Sequence, residues 1–262
     1  VGPDDVMDIM ITSGTAGRPK GVQITHFQNV HGYRRYAAIW GLRRDDVYAV
    51  IPPFFHTFGY KMGWLACAIT GARILPVTTF DVAGLTALIE RERVSVLTGP
   101  PTVFHALLDH RAAARADLSS LRLAMTGAAT VPVDLVRRMR SDLGFGSVAV
   151  AYGMTECNGI GTCTRIGDAP ELVASSAGVP IPGVELRCVD AQGRALPAGQ
   201  TGEIQIRSPY VTRGFFDDPE AFAGAVDAGG WLHSGDLGHI GEDGYLRVTD
   251  RLKDMYICGG FN

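Results

Sequence analysis

The 262-residue chain is 46% hydrophobic and 19% charged, which allows a large core and is long for one domain, so one large unit and one smaller one are expected. A net charge of -3 offers no basic field for nucleic acid, and no apolar run reaches membrane-spanning length. Five cysteines, an odd number without a C-x-x-C pair, argue against a disulfide framework or a zinc site and for a reducing compartment, taken here as the cytoplasm. No signal peptide is recognisable, and a chain that begins at Val1 and stops inside a Gly-rich motif is expected to be a piece of a longer protein.

Apolar runs at 8–12, 47–51, 73–77, 95–98, 122–126 and 147–151 alternate with helical patterns near 25–40, 59–70, 82–93, 101–110 and 132–143. This alternation predicts an α/β architecture, a parallel sheet covered by helices on both faces. Thr25 with Gln28 forms a capping box, Asp81 caps the third helix, and Pro132 and Gly144 bound the fifth. Ligands of such sheets lie beyond the carboxyl ends of the strands, so the loops after Ile11, Ile51, Thr98, Met125 and Ala151 should converge. After Ser175 short strands at 184–189, 202–207, 238–240 and 244–249 predict a small β-rich, barrel-like subdomain. The expected division is therefore 1–175, 176–249 and a final segment 250–262.

The chemistry is concentrated in a few loops. TSGTAGRPKG, from Thr12 to Gly21, combines small residues that free backbone N–H groups with the hydroxyls of Thr12, Ser13 and Thr15 and the charge of Lys20. That composition suits a polyphosphate. It is not a Walker A loop, because Pro19 precedes Lys20 and no helix can begin there. In isolation such a stretch is more often a solvated surface loop, with odds of about two in three. Tyr152-Gly153-Met154-Thr155-Glu156 follows a strand, and a carboxylate beside a phosphate cradle is a natural Mg²⁺ ligand, although a lone loop Glu is usually solvated. Gly127-Ala128-Ala129 would let a flat base lie against backbone or is simply a tight turn. Asp236, in WLHSGD, has acceptors for two ribose hydroxyls or is a turn residue.

These motifs, in this order, resemble those of the adenylate-forming superfamily, which includes acyl-CoA synthetases, peptide-synthetase adenylation domains and firefly luciferase. The family signature [ST]-S-G-[ST]-T-G-x-P-K-G is matched except at Ala16, where Thr is usual. The resemblance covers essentially the whole chain and implies the large domain of such an enzyme, incomplete, using ATP, Mg²⁺ and coenzyme A. It implies nucleotide binding by Thr12, Ser13, Gly14, Thr15, Gly17, Lys20, Gly127, Ala128, Ala129, Tyr152, Gly153, Thr155, Asp236 and Arg251. Glu156 is then the Mg²⁺ ligand, and Lys20, His56, Thr155 and Glu156 form the catalytic set. Phe55, His56, Gly127 and Gly153 line the acid pocket, Lys253 is the hinge, and Gly259 and Gly260 approach coenzyme A. The segment PPFFHTFG has His56 and no Asp to pair a substrate ammonium, which disfavours amino acids.

Within the superfamily PPFFHTFGYK, TGPPTVF and RLKDMYICGGFN resemble actinobacterial ligases that act on the propanoate side chain of a partly degraded steroid. The activity implied is activation of a carboxylic acid to acyl-AMP and then acyl-CoA. Rival readings are a medium- or long-chain fatty acyl-CoA synthetase, a fatty acyl-AMP ligase, and a nucleotide-binding module without catalysis. In relatives the lysine that completes adenylation lies beyond the position of Asn262, so the fragment is expected to be impaired. Tyr60 and Lys61 are polar groups near the acid segment, and a helix surface is the expected setting of Lys61. The partners implied are a small carboxylic acid, ATP and coenzyme A, without nucleic acid or a membrane span, and a homodimer is left open.

Overall fold

A computed structural model describes residues 1–12, 19–111, 116–127 and 129–252. The chain opens with a hairpin, β1 (Val6–Thr12) and β2 (Lys20–Thr25), that runs into α1 (His26–Ile39). The capping box forms as expected: Gln28 N–H donates to the Thr25 hydroxyl and Thr25 N–H to the Gln28 amide oxygen. β3 (Val47–Val50) follows, then a short turn α2 (Thr57–Gly59), a π-helical segment Tyr60–Leu65 and α3 (Ala66–Thr70). Next come β4 (Arg73–Pro76), α4 (Val82–Glu92) with Asp81 as its cap, β5 (Val96–Gly99) and α5 (Pro101–Arg111). β6 (Leu123–Thr126), α6 (Val133–Ser141) and β7 (Ser147–Tyr152) complete the alternation.

Among the described residues the large sheet has the order β4-β3-β5-β6-β7, all parallel, extended antiparallel by β8 (Thr162–Cys163) and, after α7 (Pro170–Ser175), β9 (Val179–Pro180). Its central strands β3, β5, β6 and β7 are buried on both faces, with successive side chains entering different cores. Tyr48, Val50, Val96, Leu123, Met125 and Ala149 pack with Tyr33, Tyr36 and Trp40 of α1. Ala49, Leu97, Ala124, Val148 and Val150 pack with Leu85 and Ile89 of α4, Phe104 of α5 and Leu135 of α6.

Three expectations change here. Residues 8–12 do not join the parallel sheet; among the described residues β1 pairs with β2 in a separate two-stranded sheet. Residues 13–19 are too few for a crossover between β1 and β2, so these two strands pair antiparallel as a hairpin. The single helix expected over 59–70 is divided by its π-helical segment, and Lys61, expected on the surface, is 0% exposed.

The β-rich part is an open antiparallel sheet, β10 (Glu185–Val189), β11 (Gly202–Arg207), β12 (Leu232–Ile240) and β13 (Leu246–Arg251), with α8 (Pro219–Ala225) between its second and third strands. A barrel requires the first and last strands to meet, and here they lie at opposite edges. Asp236 sits inside β12, not in a turn, and is the register partner of Arg251.

Candidate active site

The end of β7 and the corner after it are bonded to the small sheet and, through residues 209–216, to the hairpin. Tyr152, the last residue of β7, donates its hydroxyl to Asp236 Oδ2 at 2.7 Å, and Arg251 Nε lies 2.9 Å from Asp236 Oδ1. Three residues from distant stretches thus share one carboxylate. Asp236 is 2% exposed, and burial pushes its carboxyl up, opposed by Tyr152 and Arg251. Burial, reinforced by the Asp236 charge, likewise holds the Tyr152 hydroxyl protonated and therefore a donor. Each Asp236 oxygen keeps a second lone pair for a ligand hydroxyl.

The second group is built on the corner after β7. Gly153 is required by packing, since a Cβ there would lie 2.7 Å from the Gly159 carbonyl oxygen and 2.9 Å from Ile160 N. Thr155 and Glu156 begin a 3-10 turn, Thr155–Cys157, that ends at Asn158 with φ 61°. Asn158 is fully buried, accepts the Tyr33 hydroxyl on its carbonyl at 2.7 Å, and donates its amide to the Gln28 carbonyl at 3.0 Å. α1 therefore holds the corner from behind.

From the front, the strap 209–216 joins the corner to the hairpin. Thr212 N–H donates to the Glu156 carbonyl at 2.7 Å while the Thr212 hydroxyl donates to the Gln23 carbonyl at 2.8 Å. Gln23 N–H donates to Gly214, Phe216 N–H to Gly21, and the Gln28 amide to Val211 at 2.6 Å. Lys20 Nζ stands 4.9 Å from the centroid of the Phe215 ring. Its charge lowers the pKa of the Glu156 carboxyl, which burial raises by more, leaving it above the ordinary value. The lysine-bearing hairpin and the Tyr-Gly-Met-Thr-Glu corner are thus neighbours bonded through one strap.

His56 approaches from β3. It caps α2, its Nδ1 accepting from Phe58 N–H at 3.2 Å, which leaves the proton of the neutral ring on Nε2. Burial lowers its pKa and favours that neutral form. The next residue, Thr57, reaches the corner, for a Cβ at Gly159 would lie 2.9 Å from its own Cβ. Phe55 is 72% exposed and Ala129 is also exposed. Gly127 has room for a Cβ, 3.8 Å from the Ala151 carbonyl, so close packing does not demand glycine there. At the mouth of the loop the buried Thr12 hydroxyl has no partner among the described residues. Ser13, Gly14, Thr15, Ala16, Gly17, Ala128, Lys253, Gly259 and Gly260 lie outside the described residues.

The sequence reading missed the strap and the supporting roles of Gln28 and Asn158. Gln28 was legible only as a capping residue, and nothing in a single sequence marks Thr212 or Asn158. Among the described residues no group of three or more His, Cys, Asp or Glu side chains could hold a metal, and no helix is long and apolar enough to cross a membrane.

Comparison with known proteins gives a consistent result. The family model described as "AMP-binding enzyme" matches residues 1–216. The chain is 52% identical over 262 residues to 3-[(3aS,4S,7aS)-7a-methyl-1,5-dioxo-octahydro-1H-inden-4-yl]propanoyl:CoA ligase of Mycobacterium tuberculosis, covering 100% of this chain and 50% of the relative. It is 48% identical to the ligase of the same name from Rhodococcus jostii, covering 100% and 49%. Crystalline ATP-bound MatB from Rhodopseudomonas palustris superposes with a TM-score of 0.87 at 32% identity, over 100% of this chain and 51% of that one. The chain spans about half the length of each.

Proposed function

The chain belongs to the AMP-binding enzymes, and from that premise we propose that the whole protein activates a carboxylic acid with ATP and passes the acyl group to coenzyme A. The observation that carries this reading is the strap, which bonds the Lys20 hairpin to the Glu156 corner beside the Tyr152–Asp236–Arg251 cluster. Tail and sugar of one nucleotide can then be held at a common rim.

In this reading the amides and hydroxyls from Thr12 to Gly17, with Lys20, hold the triphosphate, and the unpaired Thr12 hydroxyl fits that role. Thr155 faces the α-phosphate, the Tyr152 ring and the segment Gly127-Ala128-Ala129 flank the base, and Asp236 with Arg251 receives the ribose. Glu156 suits Mg²⁺, which commonly takes one or two protein carboxylates and completes its shell with phosphate oxygens and water, and whose chemistry here is charge screening. The acid arrives ionised and needs no base. Its oxygen attacks the α-phosphorus in line and pyrophosphate leaves; the coenzyme A thiol, losing its proton, then attacks the acyl carbonyl, forming the thioester C–S bond as the C–O bond breaks and AMP leaves. Neutral His56 donates from Nε2 toward the acid, Lys253 is the hinge, and Gly259 with Gly260 approaches coenzyme A. A reducing compartment such as the cytoplasm is supported by the free thiols of Cys67, Cys157, Cys163 and Cys188.

For the acid we propose a fused-ring propanoate, supported by the substrate that names the two ligases 52% and 48% identical to this chain. Pyrophosphate release by the full-length protein, compared for the indanedione propanoate, octanoate and palmitate, tests it. The ring acid should give the highest kcat/KM. Equal or better turnover of a fatty acid would reassign the substrate, and ATP binding without pyrophosphate release from any acid would reduce the protein to a nucleotide-binding module.

A further inference from the structure

Lys61 and Asp8 take no part in the chemistry above, yet they form the most completely buried ion pair that touches the hairpin. Lys61 Nζ lies 2.8 Å from both carboxylate oxygens of Asp8 and 2.6 Å from Asn29 Oδ1. The three donors of the ammonium are thereby matched by three acceptors. Asn29 Nδ2 donates to Asp8 Oδ2 at 2.7 Å, and the Tyr60 hydroxyl to the same oxygen at 3.3 Å. The network closes among β1, α1 and the π-helical segment Tyr60–Leu65. The Lys61 side chain is 0% exposed and that of Asp8 15%. Burial pushes the ammonium down to about 8, and Asp8 opposes it.

Stability alone is a poor reason for such a pair, because well-packed apolar residues of similar volume often do as well. Geometry is a better one. A two-stranded hairpin has little stability of its own and is placed by what it packs against. Asp8 stands four residues before Thr12, where the phosphate loop begins, and Lys61 five residues after His56 at the acid segment. π-helical turns inside helices are frequent at functional sites, and this one brings Lys61 under the hairpin.

We propose that Lys61 and Asp8 are positioning residues that set the distance between the triphosphate-holding hairpin and the acid-gating segment, so that the carboxylate meets the α-phosphate in line. This rests on the function proposed above. Both substrates are held by elements that the pair ties together, and a displacement of about 1 Å in a reacting pair can cost on the order of a hundredfold in rate.

The test uses the full-length protein, after wild type has been shown to release pyrophosphate with an acid; failure at that step refutes the proposed function and not the pair. Asp8→Glu keeps both charges and shifts the contact by one methylene, whereas the double variant Lys61→Met with Asp8→Leu removes both charges together. Thermal midpoint, ATP affinity by calorimetry, and kcat with KM for each substrate are measured. The expected result is a near-wild-type midpoint and ATP affinity within about threefold, with kcat reduced at least about tenfold. The proposal is overturned if either folded variant keeps kcat within about threefold of wild type. Should the double variant fail to fold, Asp8→Glu is decided by the same criterion.

Discussion

The two ends of the parallel sheet treat buried carboxylates in opposite ways. At the amino end Asp46 is nearly inaccessible, and although burial pushes its carboxyl up, hydrogen bonds from Arg122, the Arg43 amide and Ser95 outweigh that and hold it below the ordinary value. Arg122 also bonds the Gly41 carbonyl, joining β6 to the turn after α1. At the carboxyl end burial holds Glu156 and Asp236 above their ordinary values, and the buried hydroxyls of Thr12 and Thr126 are unpaired among the described residues. Asp46 is satisfied by protein partners, whereas the charges of Glu156 and Asp236 are not fully compensated by the fold, as at a ligand site.

The sharpest way to break this comparison is to remove Asp46. Asp46→Ala leaves Arg122 without its buried partner and should cost about 3 kcal/mol in urea unfolding, with turnover per folded molecule unchanged. The sign for pH follows from the lowered carboxyl: its stabilisation is present above the unfolded pKa and is lost as pH falls through the folded one. At the other end Glu156→Gln should lower kcat about a hundredfold or more while leaving the thermal midpoint equal or higher. Here the folded pKa is raised, so the ionised carboxylate destabilises the fold once pH rises from the unfolded value through the folded one, and the amide removes that cost. A fall in midpoint for Glu156→Gln would place Glu156 with Asp46 as a structural group.

Smaller effects sharpen the contrast. Gly153→Ala forces a Cβ against the Gly159 backbone and should cost about 1–3 kcal/mol, with KM for ATP rising because the corner itself moves. Lys20→Met removes the charge that opposes the burial of Glu156, so the acid limb of the pH–rate profile should move upward, and Lys20→Arg should move it little. An unmoved acid limb would mean that Glu156 does not set it.

Much of the site was legible because its residues occur as contiguous motifs whose chemistry is local. Tyr152, Thr155 and Glu156 lie within five consecutive residues at the end of β7 and the turn after it, and Asp236 and Arg251 belong to adjacent strands of one sheet. What stayed hidden are contacts across long sequence separations: Thr212 to Gln23, Asn158 to Gln28, Lys61 to Asp8. A lysine in YKMGWL reads as a surface residue, because the signal that buries it is an aspartate in a different element.

Period and capping, which depend on neighbours a few positions away, determined the strand–helix alternation, the Thr25–Gln28 and Asp81 caps and the order of the motifs. Only the folded chain decided that β1 leaves the parallel sheet, that the strap bonds hairpin to corner, and that Lys61 lies buried beneath the hairpin. The reason is physical: hydrogen bonds within a turn are specified by residues in that turn, whereas burial and pairing between distant segments depend on which surfaces the packed core leaves facing each other.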